Sequence, residues 1–198
     1  METRELSLVA GHPALDFVNT VDDPTGPRRA DHIATYPALL SWSVRAGTLP
    51  AGAADHLLRA AEGAPRRAAA VVRRAATLRT ALGDTFGALA DGADVAPHWP
   101  HVRPFVAEAL AGADLSGSPP APAWPYDALE APLWPIAEAA YRLLTDPARA
   151  RLKRCAGCPW LFLDRSRNGS RRWCSMEDCG THEKIRRYVT RRAAARRS

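Results

Sequence analysis

The sequence predicts a mainly α (α+β) chain, with a helical N-terminal domain carrying a small β element over residues 1–147 and a short cysteine-bearing module over 148–198. Three observations carry that expectation. Long stretches repeat apolar residues at spacings of three and four, the period of a helix with one buried face. All four cysteines fall between Cys155 and Cys179. The charge divides at nearly the same place: residues 149–198 hold 15 Lys and Arg against 4 Asp and Glu, whereas residues 1–148 hold 12 against 17. A mildly acidic body thus precedes a strongly basic tail, an asymmetry that points to a polyanionic partner, nucleic acid first and an anionic membrane second.

In order along the chain, "ELSLVAGHPALDFVNTV" alternates loosely around Gly11 and Pro13 and reads as two short strands about a turn. "DDPTGPRRAD" follows as a loop. "YPALLSWSVRAG" reads as a short helix, with Pro37 suited to its first turn and Gly47 just past its end. "PAGAADHLLRAAEG" repeats that design and closes at Gly63. The longest helix starts near Pro65, where Val71, Ala75, Leu78, Leu82, Phe86 and Leu89 make one apolar stripe, with Gly83 and Gly87 weakening its last turns. "PFVAEALAG" is another short helix, and the Pro-rich "SGSPPAPAWPYD" allows only a loop or weak edge strands. "PLWPIAEAAYRLL" resumes helical spacing through Leu133, Ile136, Ala140 and Leu144. Asp146 and Pro147 then open "DPARARLKR", which leads to the first cysteine.

Several functional classes find no support. There is no P-loop, Rossmann fingerprint, nucleophile elbow or H-E-x-x-H, so an enzyme is not expected. His98 and His101 are separated by Pro100, which suggests a loop and chance spacing. No apolar run approaches the ~20 residues that span a bilayer. The N-terminal stretch lacks a basic segment followed by an apolar one, so a cytoplasmic address is expected. In a reducing compartment clustered cysteines bind metal more often than they form disulfides.

The cysteines run C-x2-C, fifteen intervening residues, then C-x4-C. This resembles the paired knuckles of structural zinc sites, and Gly157 permits the bend that turns two sulfurs to one point. Cys155, Cys158, Cys174 and Cys179 would close a tetrahedral shell around a single Zn²⁺, a borderline-soft ion suited to thiolates. A redox C-x2-C pair wants a βαβ setting that is missing, and iron–sulfur clusters use other spacings. His182 is a candidate replacement ligand or, more simply, a solvated surface residue. Between the pairs, "WLFLDRS" is a strand, Asn168-Gly169 a hairpin turn and "SRRWC" the returning strand. Ser175-x-x-Asp178 then caps a helix. Knuckle, hairpin and helix make a treble-clef-like finger, in which Trp160, Phe162 and Trp173 would pack on Ile185 and Val189 and zinc would supply much of the folding free energy.

With "CAGCPWLFLDRSRNGSRRWCSMEDCG" in view, the module resembles the CGNR zinc finger family. Asp164, Ser166, Asn168, Arg171, Arg172, Trp173, Cys174, Ser175, Met176, Cys179 and Gly180 fall on that family's pattern, while Thr181 and His182 stand where it has Asn and Arg. In that family the finger commonly follows an ABATE-type domain, described as a stress-induced transcription regulator, and "LDFVNT" with "YPALLSWSVRAG" looks like its opening. The resemblance implies a helical, ligand-sensing N-terminal domain joined to a DNA-binding finger.

Double-stranded DNA is accordingly the expected partner, met by Arg165, Arg167, Arg171 and Arg172 of the hairpin and by Lys184, Arg186, Arg187 and Arg191 of the helix. Lys184, Arg187 and Arg191 fall at spacings of three and four and form one stripe, and guanidinium suits bidentate contact with phosphate or guanine. A small-molecule effector is a further expectation, with Asp16, Asn19 and Trp42 as candidate lining. Asp16 and Asn19 have a second reading, the satisfaction of backbone groups at a strand end. A homodimer would suit symmetric half-sites. The runner-up function is a zinc-stabilised protein-interaction module that does not bind DNA.

Overall fold

The computed structural model describes residues 6–22 and 29–195. Its first element is a helix, α1 (Pro13–Val18), in place of the strands that alternation predicts. Pro13 sits in the first turn, the His12 ring accepts a hydrogen bond from the Ala14 amide at 3.3 Å, and Ala14, Leu15, Asp16 and Phe17 are all buried. A helix buried on nearly every side loses the 3.6-residue period that would mark it, so its loose alternation misleads. The small β element is a ribbon, β1 (Val21–Asp22) paired antiparallel with β2 (Ala30–Asp31). The loop expected between them falls largely at 23–28, outside the described residues, as do Arg196 and Arg197.

Helix α2 (Tyr36–Arg45) is capped by Thr35 with Pro37 in its first turn, and Gly47 follows at φ +70°. Helix α3 (Ala51–Glu62) ends at Gly63. Helix α4 (Pro65–Ala90) runs 26 residues and buries Val71, Ala75, Leu78, Leu82 and Phe86, with Leu89 half-buried. Gly83 and Gly87 do not end it. Helix α5 (Trp99–Ala111) starts earlier than expected, and the His98–His101 stretch is its N-terminus rather than a loop. Pro100 is tolerated because the first turn of a helix has no carbonyl partner for its N–H. The Pro-rich stretch forms an exposed hairpin, β3 (Asp114–Ser116) with β4 (Ala121–Ala123). Helix α6 (Trp134–Thr145) follows a short 3-10 turn, Ala131–Leu133, and Asp146 Oδ1 then accepts from the Ala148 amide at 2.6 Å to cap a second 3-10 segment, Pro147–Arg151.

The hairpin near the cysteines joins different strands from those expected. Strand β5 (Leu152–Arg154) pairs antiparallel with β6 (Leu161–Leu163), enclosing the first cysteine pair, and "SRRWC" forms no strand. The chain cannot return along β6 because it bends at once around Asp164, whose carboxylate gathers the following loop. Asn168-Gly169 does turn, with Gly169 at φ +59° and its amide on the Ser166 carbonyl at 3.2 Å. Helix α7 (Thr181–Ala195) closes the described chain. Ile185 and Val189 are exposed and do not meet Phe162, which is fully buried against the body instead.

Helix α4 is the spine, packed on α1, α2, α3, α5 and β5, while α6 lies on α1 and α5. Leu161, Phe162 and Leu163 belong to the same apolar cluster as Leu15, Phe17, Leu39, Leu78, Phe86 and Ile136. The finger therefore shares one core with the body. Fully burying each such Leu or Phe is worth about 1.5–3 kcal/mol.

Candidate metal centre and basic surface

β5 ends at Arg154, and the Cys155 amide donates to the Trp160 carbonyl at 2.9 Å, closing a tight turn. The Gly157 and Cys174 amides point at Cys155 Sγ, at 3.4 and 3.3 Å. Gly157 lies close to the second cysteine pair, since a Cβ there would stand 3.1 Å from Cys179 Cβ. On the other side Ser175 Oγ accepts from the Asp178 amide at 3.2 Å and caps the π-turn Met176–Gly180, which presents Cys179. Cys158 and Cys174 sulfurs lie 3.6 Å apart and those of Cys174 and Cys179 3.7 Å, with all four within 4.8 Å. A tetrahedral centre with Zn–S bonds of ~2.3 Å spaces its sulfurs ~3.8 Å apart.

The electrostatics also call for a cation. Cys158 is pulled down by its hydrogen bond with Cys174, which pushes Cys174 up, and burial pushes Cys179 up. Crowded sulfurs cannot all ionise alone, whereas a divalent ion lets them. The donor set, spacing and inward amides are consistent with one structural zinc ion. When bound, such an ion crosslinks the two cysteine pairs and fixes the start of α7. His182 lines a cleft of about 280 Å³ beside the cysteines, with Asp22, His32 and Trp160, but the four-sulfur set is complete without it.

Asp164 builds the loop between the pairs. Its buried carboxylate accepts from Lys153 Nζ at 2.7 Å, the Arg171 amide at 2.9 Å, the Ser166 amide at 2.9 Å and Ser166 Oγ at 2.6 Å. The Lys153 ammonium and these donors hold it well below the usual carboxylate range. Lys153 also reaches the Gly169 carbonyl at 2.5 Å. Arg171 then turns inward, its guanidinium 4.7 Å from the centre of the Phe162 ring and donating to the carbonyls of Val9, Trp173 and Cys174. Lys153 carries no signal in the sequence, because its partner lies across a turn.

Residues 11–147 match the family model described as "Putative stress-induced transcription regulator" (ABATE), and residues 151–192 match that of the CGNR zinc finger. The chain belongs to the ABATE family. None of the curated proteins matches it.

The candidate ligand residues of the ABATE domain lie inside it. Asp16 Oδ1 accepts from the Ala10 amide at 2.9 Å, and burial pushes its carboxyl up to about 6. Asn19 hydrogen-bonds the backbone of Leu161 in both directions. Trp42 is buried 5.5 Å from Phe17, centroid to centroid, and its indole N–H finds no partner among the described residues. None of the three lines the cleft beside the cysteines or a second cavity, about 570 Å³ between α2, α3 and α4 with Tyr36, Leu58, Val72, Glu62 and Arg73 in its wall.

In the CGNR finger, Arg165, Arg167 and Arg172 are exposed, and Arg172 stacks 5.3 Å over Trp173. Lys184 and Arg186 are exposed on α7, with Arg186 paired to Glu183. Arg187 and Arg191 lie on the helix, but their side chains are outside the described residues. Thr181, at the departure from the family signature, donates through Oγ1 to the Met176 carbonyl at 3.1 Å and so joins α7 to the π-turn. Among the described residues no helix is long and apolar enough to cross a membrane.

Proposed function

We propose that the chain is a zinc-dependent, DNA-binding transcription regulator without catalytic activity, in which the loop 165–172 and α7 meet the duplex. One observation carries this reading: exposed Arg165, Arg167, Arg172, Lys184 and Arg186 gather on a module stapled by four cysteines, while the body before it is acidic. Four thiolates and one Zn²⁺ carry a formal charge of −2, which leaves most of the finger's positive surplus for phosphate. Arg171 is turned away from this surface, since its Nε and Nη2 donate to backbone carbonyls. The cavity between α2, α3 and α4 is the place for a small-molecule effector, being within the ~300–1,000 Å³ usual for ligand sites.

The test is the salt dependence of duplex binding by the zinc-loaded full-length chain. Log affinity falling linearly with log salt supports phosphate contact and counts the charges involved. No binding at low salt overturns the reading. The second reading, a protein-docking finger, is favoured by Ile185, Tyr188 and Val189, which stand 55%, 55% and 58% exposed at adjacent helical positions.

A further inference from the structure

Strand β6 pairs with β5 through one edge. Its other edge, the backbone groups of Leu161 and Leu163, is buried and would be costly to leave unmade. The body satisfies three of these groups. The Leu163 amide donates to the Ala10 carbonyl at 2.8 Å. Asn19 Nδ2 donates to the Leu161 carbonyl at 2.8 Å, and the Leu161 amide donates to Asn19 Oδ1 at 3.0 Å. A carboxamide presents the same donor and acceptor as a peptide unit, so Asn19 stands in for a neighbouring strand. It is held in turn: its own amide donates to the Leu15 carbonyl at 3.0 Å at the end of α1, and Asp16 fixes Ala10 one turn earlier. Only Pro159 and Trp160 separate Leu161 from Cys158.

We propose that Asn19 is a positioning residue for the metal centre: by holding β6 it sets the turn that carries Cys155 and Cys158, so the N-terminal body tunes the finger's affinity for zinc. Linkage makes this reciprocal, and zinc occupancy must tighten the docking of α1 by the same factor. The inference rests on the zinc centre and is independent of DNA contact.

Two variants and one comparison on the unaltered protein test it. Zinc affinity is measured by competition with a chromophoric chelator for the parent, Asn19→Ala and Leu57→Ala. Leu57 is buried on α3, which packs on α2 and α4, so its truncation loosens the body without touching β6. Asn19→Ala is expected to weaken zinc binding at least about tenfold, the scale of groups that support metal ligands. Leu57→Ala should stay within about twofold of the parent, as expected for a distant site. Asn19→Ala binding zinc as tightly as the parent overturns the proposal, and so does an equal loss in both variants, which would mean general loosening. Should Asn19→Ala not fold, amide exchange of the parent with and without zinc decides. Loss of protection through α1 on zinc removal, with α3 unchanged, supports the coupling, and unchanged protection of α1 overturns it.

Discussion

Gly87 of α4 and Arg154 of β5 share one space. A Cβ on Gly87 would stand 2.5 Å from Arg154 Nη2, and it is across this bare stretch of helix that the guanidinium reaches Asp91, at 2.8 Å through both Nε and Nη2. A helix-weakening residue is thus the passage by which the finger's first strand ties to the body's longest helix.

Gly87→Ala should therefore depend on its neighbour. Alanine gains roughly 0.5–1 kcal/mol in a helix interior, but here it displaces Arg154. The substitution should stabilise an Arg154→Ala background by about that amount and the parent by clearly less, measured by urea unfolding of the zinc-loaded protein. Equal gains in both backgrounds would show that the two side chains do not compete.

Asp164→Asn removes the charge that gathers Lys153, Ser166 and Arg171, and the loop before Cys174 should loosen. Zinc transfer to a chelator should speed up by about tenfold or more. Since the folded carboxyl is held below its ordinary value, its contribution to stability is present above about pH 4 and is lost as pH falls through the lower folded value. A release rate unchanged from the parent would contradict this role.

His12 predicts the opposite group and a higher window. Burial, then the nearby Arg165 cation, lowers its pKa from 6.5, so the unfolded chain takes up the proton first. Stability from this residue is full above about pH 6.5 and declines as pH falls toward the folded value. Asparagine also caps helices and does not titrate. Between pH 8 and 6, at saturating zinc, the parent should lose stability relative to His12→Asn.

For DNA, Lys184→Ala and Arg167→Ala should each lower the slope of log affinity against log salt by about 0.9, with zinc affinity unchanged. Arg171→Ala should instead weaken zinc binding, because it bridges Val9 to the carbonyls of Trp173 and Cys174. A pure slope change in Arg171→Ala would place that residue on the DNA face.

The elements legible in the sequence are those whose information is local. The stripe from Val71 to Phe86, the Pro37 start of α2 and the Gly63 end of α3 follow from helical period and end chemistry, and the four ligands follow from spacing. What eluded it is long-range. Buried on nearly every side, α1 shows no helical period. The strand Leu161–Leu163 has its partner before the knuckle instead of after it, because Asp164 and Lys153 turn the chain away. Ile185 and Val189 lie exposed because the body, through contacts 142 residues apart in sequence such as Asn19 to Leu161, already supplies Phe162 with its core. Asp16 and Asn19 suit a ligand or, more commonly, backbone, and only the fold reveals that Asn19's backbone partner is the finger's own strand.

The closure of β6 by Ala10 and Asn19, with Val9 holding Arg171, also bears on how such a finger can be moved between proteins. A finger cut out at residue 148 and grafted onto another protein would carry its cysteines but leave behind the partners of Leu161, Leu163 and Arg171. A working graft would have to bring the short Val9–Asn19 segment with it, from the opposite end of the chain. Recombination that shuffles the finger alone would then yield a poorly assembled hybrid, and the smallest transferable part would be two pieces far apart in sequence and adjacent in space.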